Sequence, residues 1–206
     1  MRFRCYRGLG HDGMIEKAQK YVSKGFNSIK MQVAHCFTNN EDIENVKEMR
    51  NTLGNDIGIM IDVNQGWSVE ETISVCKKIE DYSPEWLEEP VMADDFEGYN
   101  KICKSTNIPI VTGENNFTHH DLIPLMKSEN IPILQPDIMR GGYTNLLHTC
   151  NLANQFGIKI APHMFPELSI HIVASIKNPS WLEYMGWYDH LWKEPLLPEN
   201  GTLSQA

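Results

Sequence analysis

Eight short apolar runs recur along the chain, at residues 2–6, 28–31, 57–61, 85–87, 108–111, 133–134, 159–161 and 181–182, each of strand length. The segments between them carry a helical period. Ile43, Val46, Met49 and Leu53 return at three- and four-residue steps, as do Val69, Ile73, Cys76 and Ile79, and then Leu146, Cys150 and Ala153. Ser68 followed by Glu71 reads as a capping box, and Gly25 and Gly157 stand where helices should end. Strand and helix therefore alternate without a linker, charge block or low-complexity stretch, which predicts one α/β domain. Eight strands with crossover helices, and no GxGxxG or P-loop in the first turn, favour a TIM-type (β/α) barrel over an open doubly wound sheet. At 206 residues the chain is short for such a barrel, which usually takes about 250.

Composition narrows the partners more than the fold. With 41% hydrophobic and 22% charged residues the chain reads as globular rather than disordered. Its formal charge of −9, with no basic stripe, argues against nucleic acid or an anionic membrane as partner. No run of about 18 apolar residues is present and the N-terminus lacks an apolar signal core, so a cytoplasmic location is expected. Cys5, Cys36, Cys76, Cys103 and Cys150 are odd in number and lack CxxC spacing; they read as buried small hydrophobes rather than as disulfides or a zinc site.

Polar residues close nearly every apolar run: Lys30, Asp62, Glu88, Glu114, Asp137, His163 and Glu183. Taken singly, an aspartate or glutamate after a strand reads as a helix cap or Asx turn. The spacing argues otherwise, because Asp62 to Glu88, Glu88 to Glu114, and Asp137 to His163 are each 26 residues, one β/α unit apart. In a parallel barrel all C-terminal strand ends open on one face, so these side chains would converge. Three carboxylates brought together repel unless a cation holds them, and an all-oxygen set suits Mg²⁺ better than zinc.

The stretches IDVNQGW, WLEEP, TGENN, QPDIMRGG, APHMFPE and WLE occur in that order, and from about residue 2 to residue 195 the chain resembles the barrel domain of the enolase superfamily, in its mandelate racemase-like branch. The resemblance implies Asp62, Glu88 and Glu114 as Mg²⁺ ligands, with Asn64 in a supporting hydrogen-bonding role at the substrate. It implies His163 as catalytic base and Asp137 as the carboxylate that orients it. Lys30 would touch the substrate carboxylate, and Glu183, protonated, would hydrogen-bond the same group as an enediolate develops. The chemistry is coherent, since removing a proton α to a carboxylate near neutral pH needs a divalent cation, hydrogen bonds to the developing charge, and a base on the correct face.

Two departures from the branch shape the expected reaction. The second strand of the branch ends in Lys-x-Lys, the second lysine serving as a base opposite the histidine; here IKMQV keeps Lys30 but puts Gln32 in that second place. Glutamine cannot shuttle a proton. A dehydratase using His163 alone on an acid sugar is therefore expected over a racemase or epimerase, with a catalytically inert metal-binding barrel as the reading from a different class. The branch also carries an N-terminal capping domain, absent from this sequence, so the chain reads as a single barrel domain over residues 1–206, truncated from a longer two-domain enzyme. A small hydroxy acid or acid sugar is the expected ligand, and apolar surface left uncapped would favour a homo-oligomer.

The remaining residues of note read more plainly. His119 and His120 are expected on an exposed helix start, with reach into the pocket as the alternative; His35 and His171 read as packing or surface. Trp67 reads as packing at a helix start, Met164 and Phe165 as core. Gly141 and Gly142 read as a tight strand-to-helix turn beside Arg140, whose alternative is greeting a substrate anion. Glu89 reads either as support for the metal shell or as one half of a structural salt bridge.

Overall fold

A computed structural model describes residues 2–128 and 130–203, residues 2–4 by backbone alone. Eight parallel strands form one sheet: β1 (Arg2–Cys5), β2 (Ser28–Gln32), β3 (Gly58–Asp62), β4 (Trp86–Glu88), β5 (Ile110–Thr112), β6 (Ile133–Leu134), β7 (Lys159–Ile160) and β8 (Glu183–Tyr184), ordered β7-β6-β5-β4-β3-β2-β1-β8. Among the described residues seven α-helices connect them: α1 (Gly10–Val22), α2 (Asn39–Leu53), α3 (Val69–Ile79), α4 (Phe96–Cys103), α5 (His119–Lys127), α6 (Ile138–Gln155) and α7 (Pro166–Ser175). The expected barrel is present. Its eighth strand is followed, among the described residues, by a 3₁₀ turn at Asp189–Leu191 rather than by an eighth α-helix.

The last strand lies two residues beyond the apolar run at 181–182. Trp181 packs on the barrel floor with Met60, Trp86 and Val111 instead of pairing in the sheet. Closure is made by the irregular segment before β8: Ile160 N–H donates to the Asn178 carbonyl at 2.9 Å and Ser180 N–H to the Ile160 carbonyl at 2.7 Å.

Alternation along each strand separates two cores. Ile29, Met31, Ile59, Ile61 and Leu87 join the large cluster beneath the helices, while Met60, Trp86 and Val111 form the small inner one. Polar residues of inward parity are thereby carried into the barrel above an apolar floor. Register sets Gln32 beside Asp62 and Asp62 beside Glu88, a row across three neighbouring strands.

Helix starts follow the sequence. Ser68 and Glu71 form the expected box on α3, Ser68 Oγ accepting the Glu71 N–H at 3.2 Å and Glu71 Oε2 accepting the Ser68 N–H at 2.8 Å. Replacing Ser68 with alanine removes one half of that pair and should cost about 1 kcal/mol in urea unfolding; an unchanged midpoint would show that the box contributes nothing. Thr38 and Glu41 make a second box on α2.

Several readings need correction. Cys36 is exposed and Cys103 half-buried, so only Cys5, Cys76 and Cys150 are buried hydrophobes; all five are free thiols. Met164 and Phe165 are half-buried rather than core, both in left-handed backbone at φ 51° and 44°, with Phe165 stacked on Tyr188. Trp67 is buried in the main core as expected. Among the described residues no helix is long and apolar enough to cross a membrane.

Candidate active site

Left-handed backbone outside glycine collects just past the strand ends: Ala34 and His35 after β2, Asn64 and Gln65 after β3, Glu89 after β4, Met164 and Phe165 after β7. Such conformations cost of order 1–3 kcal/mol each and persist where surrounding structure imposes them, often at functional sites. The polar residues singled out in the sequence lie along this same rim and in the barrel just beneath it.

Lys30 is fully buried, its Nζ 2.5 Å from Glu88 Oε1 and 2.6 Å from Glu183 Oε1. Strands β2, β4 and β8 are not neighbours in the sheet, so this triad crosses the barrel interior. Glu88 Oε2 also accepts from Gln135 Nε2 at 2.7 Å and from Trp86 Nε1 at 3.1 Å. Glu183 Oε2 accepts the Met164 N–H at 3.0 Å. Asp62 Oδ2 accepts from Gln32 Nε2 at 3.1 Å, and Glu114 Oε1 from Asn64 Nδ2 at 3.4 Å.

His163 faces this group from just past β7, where it bridges to Asp137. Its Nδ1 is 3.0 Å from Asp137 Oδ2, which fixes the proton on Nδ1 and turns Nε2 inward, 3.2 Å from Glu114 Oε2 and 3.9 Å from Glu183 Oε2. Burial lowers the imidazole's affinity for a proton, but Glu114, Asp137 and Glu183 together outweigh it and raise the pKa. Burial first, with Asp62 and Glu88 adding to it against the pull of His163, pushes Glu114 up to about 7.

Capping accounts for one of these acids only in part. Asp62 ends β3, and Ser68 caps the helix that follows; α5 begins from Thr118, four residues past Glu114. Asp137 is the N-cap of α6, yet its two oxygens divide the work, Oδ1 accepting the Met139 N–H at 2.7 Å while Oδ2 meets the histidine.

Glu89 forms no salt bridge among the described residues. Its carboxyl accepts from Asn115 Nδ2 at 2.5 Å and Asn115 N–H at 3.3 Å, and burial, reinforced by Glu114, lifts its pKa to about 9. His119 and His120 lie with ring centres 4.0 Å apart and planes tilted by 37°, His119 tied to Asn145 and His120 at the edge of the cleft beside the row. His171 is exposed, and exposed His35 holds the Asn64 carbonyl at 2.9 Å. The contacts missed in the sequence are Gln135, Trp86 and Asn115. Gln135 and Trp86 each lie two residues before a site acid, and strand parity alone could have found them. Beside the row, a cleft of about 690 Å³ lined by Gln65, Met92, Asn115, Asn116, His120 and Arg140 is of a size that holds small molecules.

Among the described residues no three acidic or histidine side chains stand as a ready-made metal cage. Lys30 and His163 instead answer the charge of Glu88 and Glu114. The donor chemistry nonetheless fits a hard divalent cation: Asp62, Glu88 and Glu114 offer only oxygen, and Glu114 Oε2 is buried with no hydrogen bond among the described residues, in charge contact with His163 Nε2 at 3.2 Å.

These features define a parallel β/α-barrel whose strand ends bring a row of acids up to a histidine–aspartate pair. Residues 13–205 match the enolase C-terminal domain-like family, and the chain belongs to that family. Among its relatives is L-talarate/galactarate dehydratase of Salmonella typhimurium, 33% identical over 210 residues, covering 97% of this chain and 52% of that protein. N-succinyl-L-Arg/Lys racemase of Bacillus cereus is 28% identical over 184 residues, covering 85% and 49%. The crystal structure of L-talarate dehydratase from Polaromonas sp. JS666, complexed with Mg and L-glucarate, superposes with a TM-score of 0.90 at 28% identity over 98% of this chain and 57% of that one. The chain spans about half the length of the curated relatives it matches.

Proposed function

We propose that this chain is the barrel domain of a longer two-domain enzyme that abstracts the α-proton of a hydroxy carboxylate and dehydrates an acid sugar to a 2-keto-3-deoxy acid. The observation that carries the reading is the row Asp62, Glu88 and Glu114 facing the Nε2 of a histidine whose Nδ1 is held by Asp137. The relatives named as acid-sugar dehydratases, and a structural neighbour complexed with Mg and L-glucarate, support it.

Asp62, Glu88 and Glu114 would hold Mg²⁺, which when bound supplies positive charge to the substrate carboxylate and lowers the cost of the enediolate. With Glu114 engaged in that role, the strongest of the attractions raising the His163 pKa would be lost, which would favour the neutral base form. His163 Nε2 then takes the proton from C2. The C–H electrons form the C2–C3 double bond as the C3 hydroxyl leaves, His163 returns its proton to that hydroxide as water, and the enol tautomerises to the 2-keto acid. One group serves as base and then acid, which suits a site where Gln32 is an amide donating to Asp62.

A racemase requires a second base, and Gln32 stands against it. Incubation with Mg²⁺ and a panel of aldonic and aldaric acids should yield 2-keto-3-deoxy acid from one or a few of them, and chelation with EDTA should stop it. A panel silent in the presence of saturating, calorimetrically verified Mg²⁺ would instead favour a metal-binding barrel without turnover.

A further inference from the structure

Asp62 and Glu88 are fixed by the strand ladder, but Glu114 is not. β5 ends at Thr112, and Glu114 lies two residues beyond, on the loop that leads to α5. Its backbone is held from a different unit. Arg140, in the first turn of α6, donates Nε to the Glu114 carbonyl at 2.6 Å and Nη2 to Asn115 Oδ1 at 2.6 Å, and its guanidinium lies 5.0 Å from the centre of the Phe117 ring. Asn115 in turn reaches Glu89, so one guanidinium ties together the loops after β4, β5 and β6.

The turn that carries Arg140 is built for this approach. A Cβ on Gly141 would lie 2.5 Å from the Phe117 carbonyl, so only glycine lets α6 come so close to the loop. Gly142, at φ 76°, breaks α6 just after Arg140 and lets the first turn tilt away from the rest of the helix. Asn145 grips the same loop further along, donating to the Phe117 carbonyl at 3.2 Å and accepting the His119 N–H at 3.0 Å. None of the acceptors of Arg140 is charged, so the contact is not an ion pair. It uses the fork of the guanidinium, two N–H groups at fixed spread, which lysine lacks.

The geometry points to Arg140 as a positioning residue that sets the Glu114 carboxylate in the acidic row by clamping its backbone. This rests on the reading of Glu114 as a metal ligand. These contacts use Nε and Nη2 of an exposed side chain that also lines the cleft.

Calorimetric titration with Mg²⁺, repeated with Mn²⁺ followed by electron paramagnetic resonance, tests it on the parent and on Arg140→Met, Arg140→Lys and Asn145→Ala, alongside metal-free thermal melts. Both Arg140 variants should bind the cation about 10–100-fold more weakly, the range seen when a residue supporting a ligand is lost. Lysine should not rescue, and Asn145→Ala, which loosens the loop without touching Glu114, should bind nearly as the parent does. Melting near the parent's temperature separates positioning from general loss of fold; if Arg140→Met unfolds, Arg140→Lys decides. Parent-like affinity in Arg140→Lys, or equal weakening in Asn145→Ala, overturns the role of Arg140 while leaving the metal site in place. No binding by the parent overturns the metal reading and the role of Arg140 with it.

Discussion

His163→Asn lowers turnover by about 10²–10⁴-fold, the usual worth of a positioned general base, while Mg²⁺ affinity stays within a few-fold of the parent. The expectation follows from the direction of the ring. Asp137 occupies Nδ1, so Nε2 is the basic atom turned inward, 3.2 Å from Glu114 Oε2 and 3.9 Å from Glu183 Oε2. Asparagine keeps polar bulk but cannot take a proton. Asp137→Asn should act through the same ring by allowing the wrong tautomer, and should slow turnover without weakening the cation. The parent's kcat/KM should fall as the pH is lowered, because the neutral imidazole is the working form. Turnover by His163→Asn at the parent's rate would remove this residue from the chemistry.

Lys30→Met destabilises the fold by about 3–5 kcal/mol, the cost of leaving buried charges without their partner. Lys30 has no exposed surface and is the cation between Glu88 and Glu183. Methionine fills nearly the same volume, so the loss reports charge rather than a cavity. The double variant Lys30→Met/Glu183→Gln should recover much of the loss by removing one stranded carboxylate, and the excess over additivity in urea unfolding measures the pair. If Lys30→Met unfolds at the parent's midpoint, the triad is not what holds the centre of the barrel together.

Much of this was legible in the sequence because each β/α unit repeats the same event. The 26-residue steps from Asp62 to Glu88 to Glu114 mark successive strand ends, and a parallel barrel brings successive strand ends together. Ser68 with Glu71 marked the start of α3 for an equally local reason. What stayed hidden depends on contacts across the barrel. Nothing in the spacing of Lys30, Glu88 and Glu183 says that a lysine on β2 reaches acids on β4 and β8, because that meeting depends on the stagger of the closed sheet. Trp181 is apolar and so reads as strand, whereas its side chain fills the floor and the ladder starts at Glu183. The clamp by Arg140 was hidden for a similar reason: it joins α6 to the loop of another unit, and its glycines looked like turn residues only.

The central claim is that one histidine, faced by an amide rather than a second base, removes an α-proton and expels the β-hydroxyl. Proton NMR in D₂O, with Mg²⁺ and an acid sugar that reacts, tests it most directly. The account predicts 2-keto-3-deoxy acid carrying solvent deuterium at C3, with recovered substrate of unchanged configuration at C2. Substrate recovered with deuterium at C2 and inverted configuration, in the parent and with Gln32 in place, would contradict it.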